Sequence, residues 1–226
     1  MSARGDRKLQ ARKAREAAER DAARAVARRR RTLLVGAVVV GLLAVGAPIA
    51  LLTGSGGPRA GESTITAGTI PPQRVTDLDA AVRLAGAKRI SHSYAFGVND
   101  HTDDRVAYPT NPPTNGPHAF TWTADGSYAG LAAPPTGQVV HAQEHGRVVI
   151  QYRAGLPRQT MRQLQALYDE SPNHVLLLEN ATDMPCDVAA TAWGQGLLCP
   201  RVTPRTFDAV RAFRDTFRDK GPETVA

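Results

Sequence analysis

Residues 146–179 read GRVVIQYRAGLPRQTMRQLQALYDESPNHVLLLE, and the fold class follows from this stretch. Residues 146–152 are rich in β-branched side chains and read as a strand. Residues 156–170 repeat apolar positions at helical spacing, with Met161, Leu164, Leu167 and Tyr168 on one face and Pro157 near the start. Residues 174–179 form a short apolar run. Strand, helix and strand in this order predict a βαβ unit with a right-handed crossover. Downstream, residues 187–193 and 197–201 flank Gly194-Gln195-Gly196, which predicts a hairpin. A last helix runs over 204–219, with Thr203 as its cap, Phe207, Val210, Phe213 and Phe217 inward, and Gly221-Pro222 as its stop. Upstream, residues 76–88 predict a short helix capped by Thr76, and residues 91–96 a short strand. Between them and the βαβ unit lies a long irregular stretch, residues 99–138, dense in Pro, Gly, Asn and Thr. Its Tyr108, Phe120, Trp122 and Tyr128 favour an ordered loop. The predicted architecture is α+β, with a mixed sheet, a βαβ unit, a hairpin and a C-terminal helix.

Charge divides the 226-residue chain sharply, although its formal net charge is +7. Residues 1–31 hold ten Arg and two Lys against four acids. The other 195 residues hold 16 basic and 17 acidic side chains, so the folded part is nearly neutral. That argues against a nucleic-acid-binding fold, which needs its positive charge on the domain surface.

Residues 32–52, TLLVGAVVVGLLAVGAPIALL, carry no charge. At about 1.5 Å per residue they are long enough to cross a hydrocarbon core of roughly 30 Å. Arg28 to Arg31 abut the N-terminal end, and the next basic residue is Arg59. The positive-inside rule then places the N-terminus in the cytoplasm and the C-terminal domain outside the plasma membrane. A cleaved signal peptide is the rival reading. The apolar run exceeds the usual h-region, and the basic segment before it is very long. The expected layout is a basic cytoplasmic tail (1–31), a single transmembrane helix (32–52), a flexible spacer rich in Gly, Pro, Ser and Thr (53–75) and an extracytoplasmic domain (76–226).

The sharpest chemical feature is His141-Ala142-Gln143-Glu144-His145. In a helix, positions i and i+4 share a face, so both imidazoles reach one metal ion. In an extended chain they also share a face, but Glu144 turns away. H-x-x-E-H is also a metalloprotease signature, yet that signature needs a long helix, and here Gly146 and a strand follow at once. The second feature is Asn111-Pro112-Pro113-Thr114-Asn115-Gly116-Pro117-His118, a stiff, tightly turned loop that ends in an imidazole. His101 lies nearby and is a weaker addition to the cluster. His92 and His174 sit at strand edges, where structural roles are expected. Cys186 and Cys199 flank the hairpin, and outside the cytoplasm two such thiols are expected to form a disulfide. The other reading of Cys186 joins it to Met184 and a His as a soft copper site. Asn180-Ala181-Thr182 fits a short glycosylation pattern of low specificity. No phosphate-binding glycine loop is present, so no nucleotide cofactor is implied, and no serine has a nucleophile-elbow context.

With these residues the chain resembles the domain-of-unknown-function 3105 family. The motifs that carry the resemblance are NPPTNGPH (111–118), HAQEHGRVVIQY (141–152), TAWG (191–194), Cys199 and GPE (221–223). The resemblance covers roughly residues 88–223, and the basic tail, membrane helix and spacer also fit the family layout. Asn115 stands where the family usually has Ser, and Gln143 where it has an apolar residue. The resemblance implies an envelope protein of unknown activity and supports His118, His141, Glu144 and His145 as motif positions.

Three functions remain open on the sequence. The first is an anchored outer domain binding zinc or copper through His118, His141 and His145, with Glu144 as a fourth ligand or a partner of the ligands. The second is a metal-assisted hydrolase with Glu144 as general base. The third is a non-enzymatic envelope interaction module with protein partners that the sequence does not identify.

Overall fold

A computed structural model of the chain describes residues 61–91 and 100–223. The basic tail, the apolar span 32–52 and His92 lie outside the described residues. Among the described residues no helix is long and apolar enough to cross a membrane. In chain order the elements are α1 (Leu78–Ala85), β1 (Lys88–Ser91), β2 (Gly126–Ser127), α2 (Thr136–Glu144), β3 (Val148–Arg153), α3 (Arg158–Asp169), β4 (Val175–Asn180), β5 (Val188–Ala192), β6 (Gln195–Cys199) and α4 (Pro204–Phe217).

The strands form one six-stranded sheet in the order β1-β6-β5-β3-β4-β2. β3 and β4 pair in parallel through Val148↔Val175 to Arg153↔Asn180, as a βαβ unit requires. β5 and β6 form the antiparallel hairpin, closed by Ala192↔Gln195 over a two-residue turn in which Gly194 has φ 69°. The sheet is therefore mixed, and with four helices it makes the α+β class expected.

Side chains alternate along each strand, so the sheet has two apolar faces. One face carries Val148, Ile150, Tyr152, Val175, Leu177, Val188, Ala190, Leu197 and Cys199, packed with Leu164 and Leu167 of α3, Phe207, Val210 and Phe213 of α4, and Ala81 of α1. This is the main core. The other face carries Val149, Leu176 and Leu178, covered by Val139 and Ala142 of α2 and by Trp122 and Tyr128. The long irregular stretch lies with α2 on this second face, and the histidines are there.

Several local expectations change. Asp77, not Thr76, caps α1 by accepting from the Ala80 N–H at 2.8 Å. The expected strand over 91–96 falls, apart from Ser91, outside the described residues, and β1 lies earlier, over Lys88–Ser91. Residues read as spacer pack on the domain from Gly61 onward: Ile65, Ile70 and Val75 join the main core. Cys186 and Cys199 form no disulfide; both are free and buried. Cys199 faces the main core, whereas Cys186 packs with Met184, Ala189 and Leu198 on the opposite face. Burial pushes the two thiols up to about 11 and about 12, so they behave as apolar packing groups.

Candidate metal centre

The HAQEH motif is the last turn of a helix. α2 ends at Glu144, His145 takes the cap position, and Gly146 turns the chain with φ 81° into β3. That stop puts His141 and Glu144 on one helical turn at the edge of the second apolar face. The expectation of a strand at the motif's end holds only from Val148.

His118 arrives on the Pro-rich loop, which is fastened from several sides. The Gly194 N–H donates to the Thr114 carbonyl at 3.0 Å, and Gln143 Nε2 donates to the Pro113 carbonyl at 3.3 Å. Gly116, with φ 124°, makes the turn that aims His118 inward. His101 reaches the same place through a two-strand contact. The His118 N–H donates to the Asp100 carbonyl at 3.0 Å, and the Thr102 N–H donates to the His118 carbonyl at 2.7 Å.

These pieces converge. The ligand atoms of His101, His118, His141 and Glu144 all lie within 4.8 Å of one another. His118 and Glu144 are fully buried, His141 is nearly so, and His101 is half-buried. His118 Nδ1 lies 2.8 Å from the Gly116 carbonyl, and His141 Nδ1 lies 2.6 Å from the Ala119 carbonyl. A carbonyl only accepts, so both Nδ1 atoms carry the proton and both Nε2 atoms present a lone pair. Metal-binding histidines are oriented by such second hydrogen bonds.

His118 Nε2 stands 2.9 Å from Glu144 Oε2, but the pair is not aligned as a hydrogen bond. A lone pair facing a carboxylate at this distance is repulsive unless a proton or a cation lies between them. Burial, then the carboxylates of Glu223 and Asp100, push Glu144 up to about 7. Burial lowers His141 to about 4 and lowers His118 and His145 as well. Burial thus favours the neutral form of His118, His141 and His145, the state in which nitrogen binds a metal.

His145 is close to the group but not in it. Its ring lies 4.6 Å from that of His141 and 5.0 Å from Trp122. Its Nδ1 is 3.7 Å from Glu223 Oε2. The structure thus exchanges His145 for His101 in the group with metal-binding geometry. Neither cysteine belongs to that group. His174 is occupied elsewhere, with its Nδ1 2.5 Å from Asp219 Oδ1. Glu223 was visible in the sequence only as the end of the GPE motif, and nothing in its spacing ties it to His145. A cleft of about 520 Å³ opens beside His118, lined by Thr102, Arg105, Tyr108 and Asn111 among others. Glu144 does not line it.

The family "Protein of unknown function (DUF3105)" matches residues 100–226. The chain belongs to that family. No curated protein and no solved structure matches the chain. The family match contains every residue of the cluster, from His101 to Glu223, and leaves the basic tail and the apolar span outside it.

Proposed function

We propose that the protein is a membrane-anchored, extracytoplasmic domain that holds a transition-metal ion, zinc or copper, through His101, His118, His141 and Glu144. The observation that carries this reading is the convergence of the four ligand atoms within 4.8 Å in a buried pocket. A tetrahedral zinc with bonds of about 2.0–2.1 Å spaces its ligand atoms about 3.4 Å apart, so the longest separation closes by about 1.4 Å on binding. Imidazole with one carboxylate suits zinc and copper. The uncharged span 32–52, bounded on its N-terminal side by Arg28 to Arg31, supports anchoring with the domain outside.

Glu144 as a general base has less support. Its carboxylate is fully buried and faces no part of the cleft beside His118. A base that activates water for a substrate must reach that substrate.

The test uses the full chain purified in detergent, stripped with chelator and reloaded. Wild type is expected to retain at least one equivalent of zinc or copper after desalting. Its melting temperature should rise by several degrees, as about 2.7 kcal/mol of binding linkage implies at metal 100-fold above Kd. His118→Ala should abolish both effects. Trp122 and Trp193, the only two tryptophans, both contact site imidazoles, so copper(II) should quench most of the intrinsic fluorescence. No retained metal and an unchanged melting temperature would overturn the proposal.

A further inference from the structure

The first ligand group leaves much of the polar cluster unused. Among the described residues, twelve buried side-chain polar atoms lack a hydrogen-bond partner, and six belong here: Asp100 Oδ2, His118 Nε2, both Glu144 oxygens and both His145 nitrogens. Buried polar atoms are almost always partnered, so a concentration of orphans at one place needs a cause. One ion on His101, His118, His141 and one Glu144 oxygen accounts for only part of it. Four of the six remain: Asp100 Oδ2, Glu144 Oε1 and both nitrogens of the His145 ring.

His145 is the informative residue. Its side chain is 4 % exposed, and neither ring nitrogen has a hydrogen-bond partner. Its Nδ1 faces Glu223 Oε2 at 3.7 Å. That distance is too long for a hydrogen bond. It is within ion-pair reach, and it lies close to the roughly 3.4–3.6 Å that bonds of about 2.1 Å put between neighbouring ligand atoms of one ion.

The backbone holds Glu223 in position. The Glu223 N–H donates to the Glu144 carbonyl at 3.2 Å. Gly221 lies so close that an added Cβ would meet the same carbonyl oxygen at 2.1 Å. The C-terminal strap is thus fitted against the end of α2, and its carboxylate lies beside His145, close enough for its charge to act on Glu144.

Charge points the same way. Glu144, Glu223 and Asp100 bring three carboxylates to one cluster of imidazoles. Arg147, two residues beyond His145, has its guanidinium held elsewhere. Its Nε donates to Asp125 at 3.1 Å, and its Nη1 donates to the His145 carbonyl at 2.9 Å. One divalent ion leaves this cluster negative. Two divalent ions and one hydroxide balance it.

We propose that Glu144 bridges two divalent ions. The first is the ion already assigned to His101, His118 and His141, and the second is held by His145, Glu223 and the other Glu144 oxygen. The inference rests on the reading of the first site and extends it to a dinuclear centre. The first ion has four protein ligands and a closed shell. The second has three, and Glu223 is 31 % exposed, so the second ion keeps an open position toward solvent. Two ions sharing a carboxylate lie about 3.5–4 Å apart, the spacing of two-metal hydrolytic sites.

The experiment loads the full chain in detergent with zinc, removes excess metal by desalting and counts zinc per chain. Wild type should hold two. His145→Ala and Glu223→Gln should each hold one, with a cooperative melting transition in chelator showing that both variants fold. Loading with copper(II) gives a second readout. In wild type, coupling between the two ions should lower the integrated electron-spin signal well below two spins per chain. Either variant should give one full, uncoupled spin. One zinc in wild type and in both variants would overturn the second ion and leave the first site standing. Two zinc in wild type and still two in both variants would also overturn it, because the second ion would then sit elsewhere. No zinc in wild type would overturn both readings.

Discussion

Glu144 is the residue on which the ion-free protein's stability should turn. Its folded-state value of about 7 lies above the ordinary 4.5 because the carboxyl is buried beside Glu223 and Asp100. A raised value in an acid means that the folded state binds the proton more tightly than the unfolded state. Below about pH 4.5 both states are protonated and there is no penalty. From there to pH 7 stability falls, and above pH 7 the penalty of about 3 kcal/mol is complete. His141 slopes the other way. Its value of about 4 lies below the ordinary 6.5, so stability is lost as pH falls from 6.5 toward 4. Comparing Glu144→Gln with wild type removes the histidine contribution, which both share. In chelator, the variant should gain about 3 kcal/mol on wild type between pH 4.5 and pH 8, measured by urea unfolding across that range. With zinc present the sign should reverse, since the variant loses a ligand. Parallel profiles in chelator would show that Glu144 carries no buried-charge penalty. At this scale the sequence revealed His118, His141 and Glu144, because each sits in a compact motif. It understated His101, which joins through a strand contact with a residue 17 positions away. It put His145 on the same ion as His141, whereas the converging group takes His101 in that place, because helical i, i+4 spacing says that two side chains share a face, not which neighbours complete the shell.

Among the elements, the βαβ unit and the hairpin were legible because their apolar periods are clean. α2 was not. All six residues from Val139 to Glu144 are buried, with Gln143, Glu144 and His141 among them. A helix covered on several sides by polar site residues has no polar stripe, so its period cannot be read. The strap after α4 was equally silent, since a Gly-Pro pair reads only as a stop. Its packing makes a definite prediction. The Gly221 Cα sits against the Glu144 carbonyl and the Gly146 N–H, with no room for a Cβ. Gly221→Ala should push the strap off the end of α2 and break the Glu223 N–H bond to the Glu144 carbonyl. Metal affinity should fall at least tenfold, while the main core, on the opposite face of the sheet, keeps its amide-exchange protection. Unchanged affinity would separate the strap from the site.

Across the whole molecule, the charge division read from the sequence stands as composition, but the boundary of the folded unit moves. Gly, Pro, Ser and Thr over 53–75 look like a spacer, and composition cannot reveal that such a segment lies along a surface prepared for it. The structure shows the contacts. Gly61 bridges Gly126, and the Thr64 N–H donates to the Ala129 carbonyl at 3.2 Å. The Gly68 N–H donates to the Arg162 carbonyl at 2.7 Å, and the Arg74 N–H donates to Asp208 at 3.0 Å. Arg211, almost fully buried, grips both Glu170 oxygens at 2.7 Å and donates to the Pro71 carbonyl at 2.9 Å. Each such bond contributes about 1 kcal/mol net, and each partly buried Ile or Val about as much. Ordering the segment offsets a large share of that sum. The balance predicts that a chain beginning at Gly61 is more stable than one beginning at Thr76 by about 2–4 kcal/mol. The urea midpoint and a larger m-value for the longer chain are the measurements. A free spacer would leave both unchanged. Because Gly61 bridges β2 and Tyr128 helps cover α2, the shorter chain should also bind metal less tightly than the longer one, although it retains every proposed ligand.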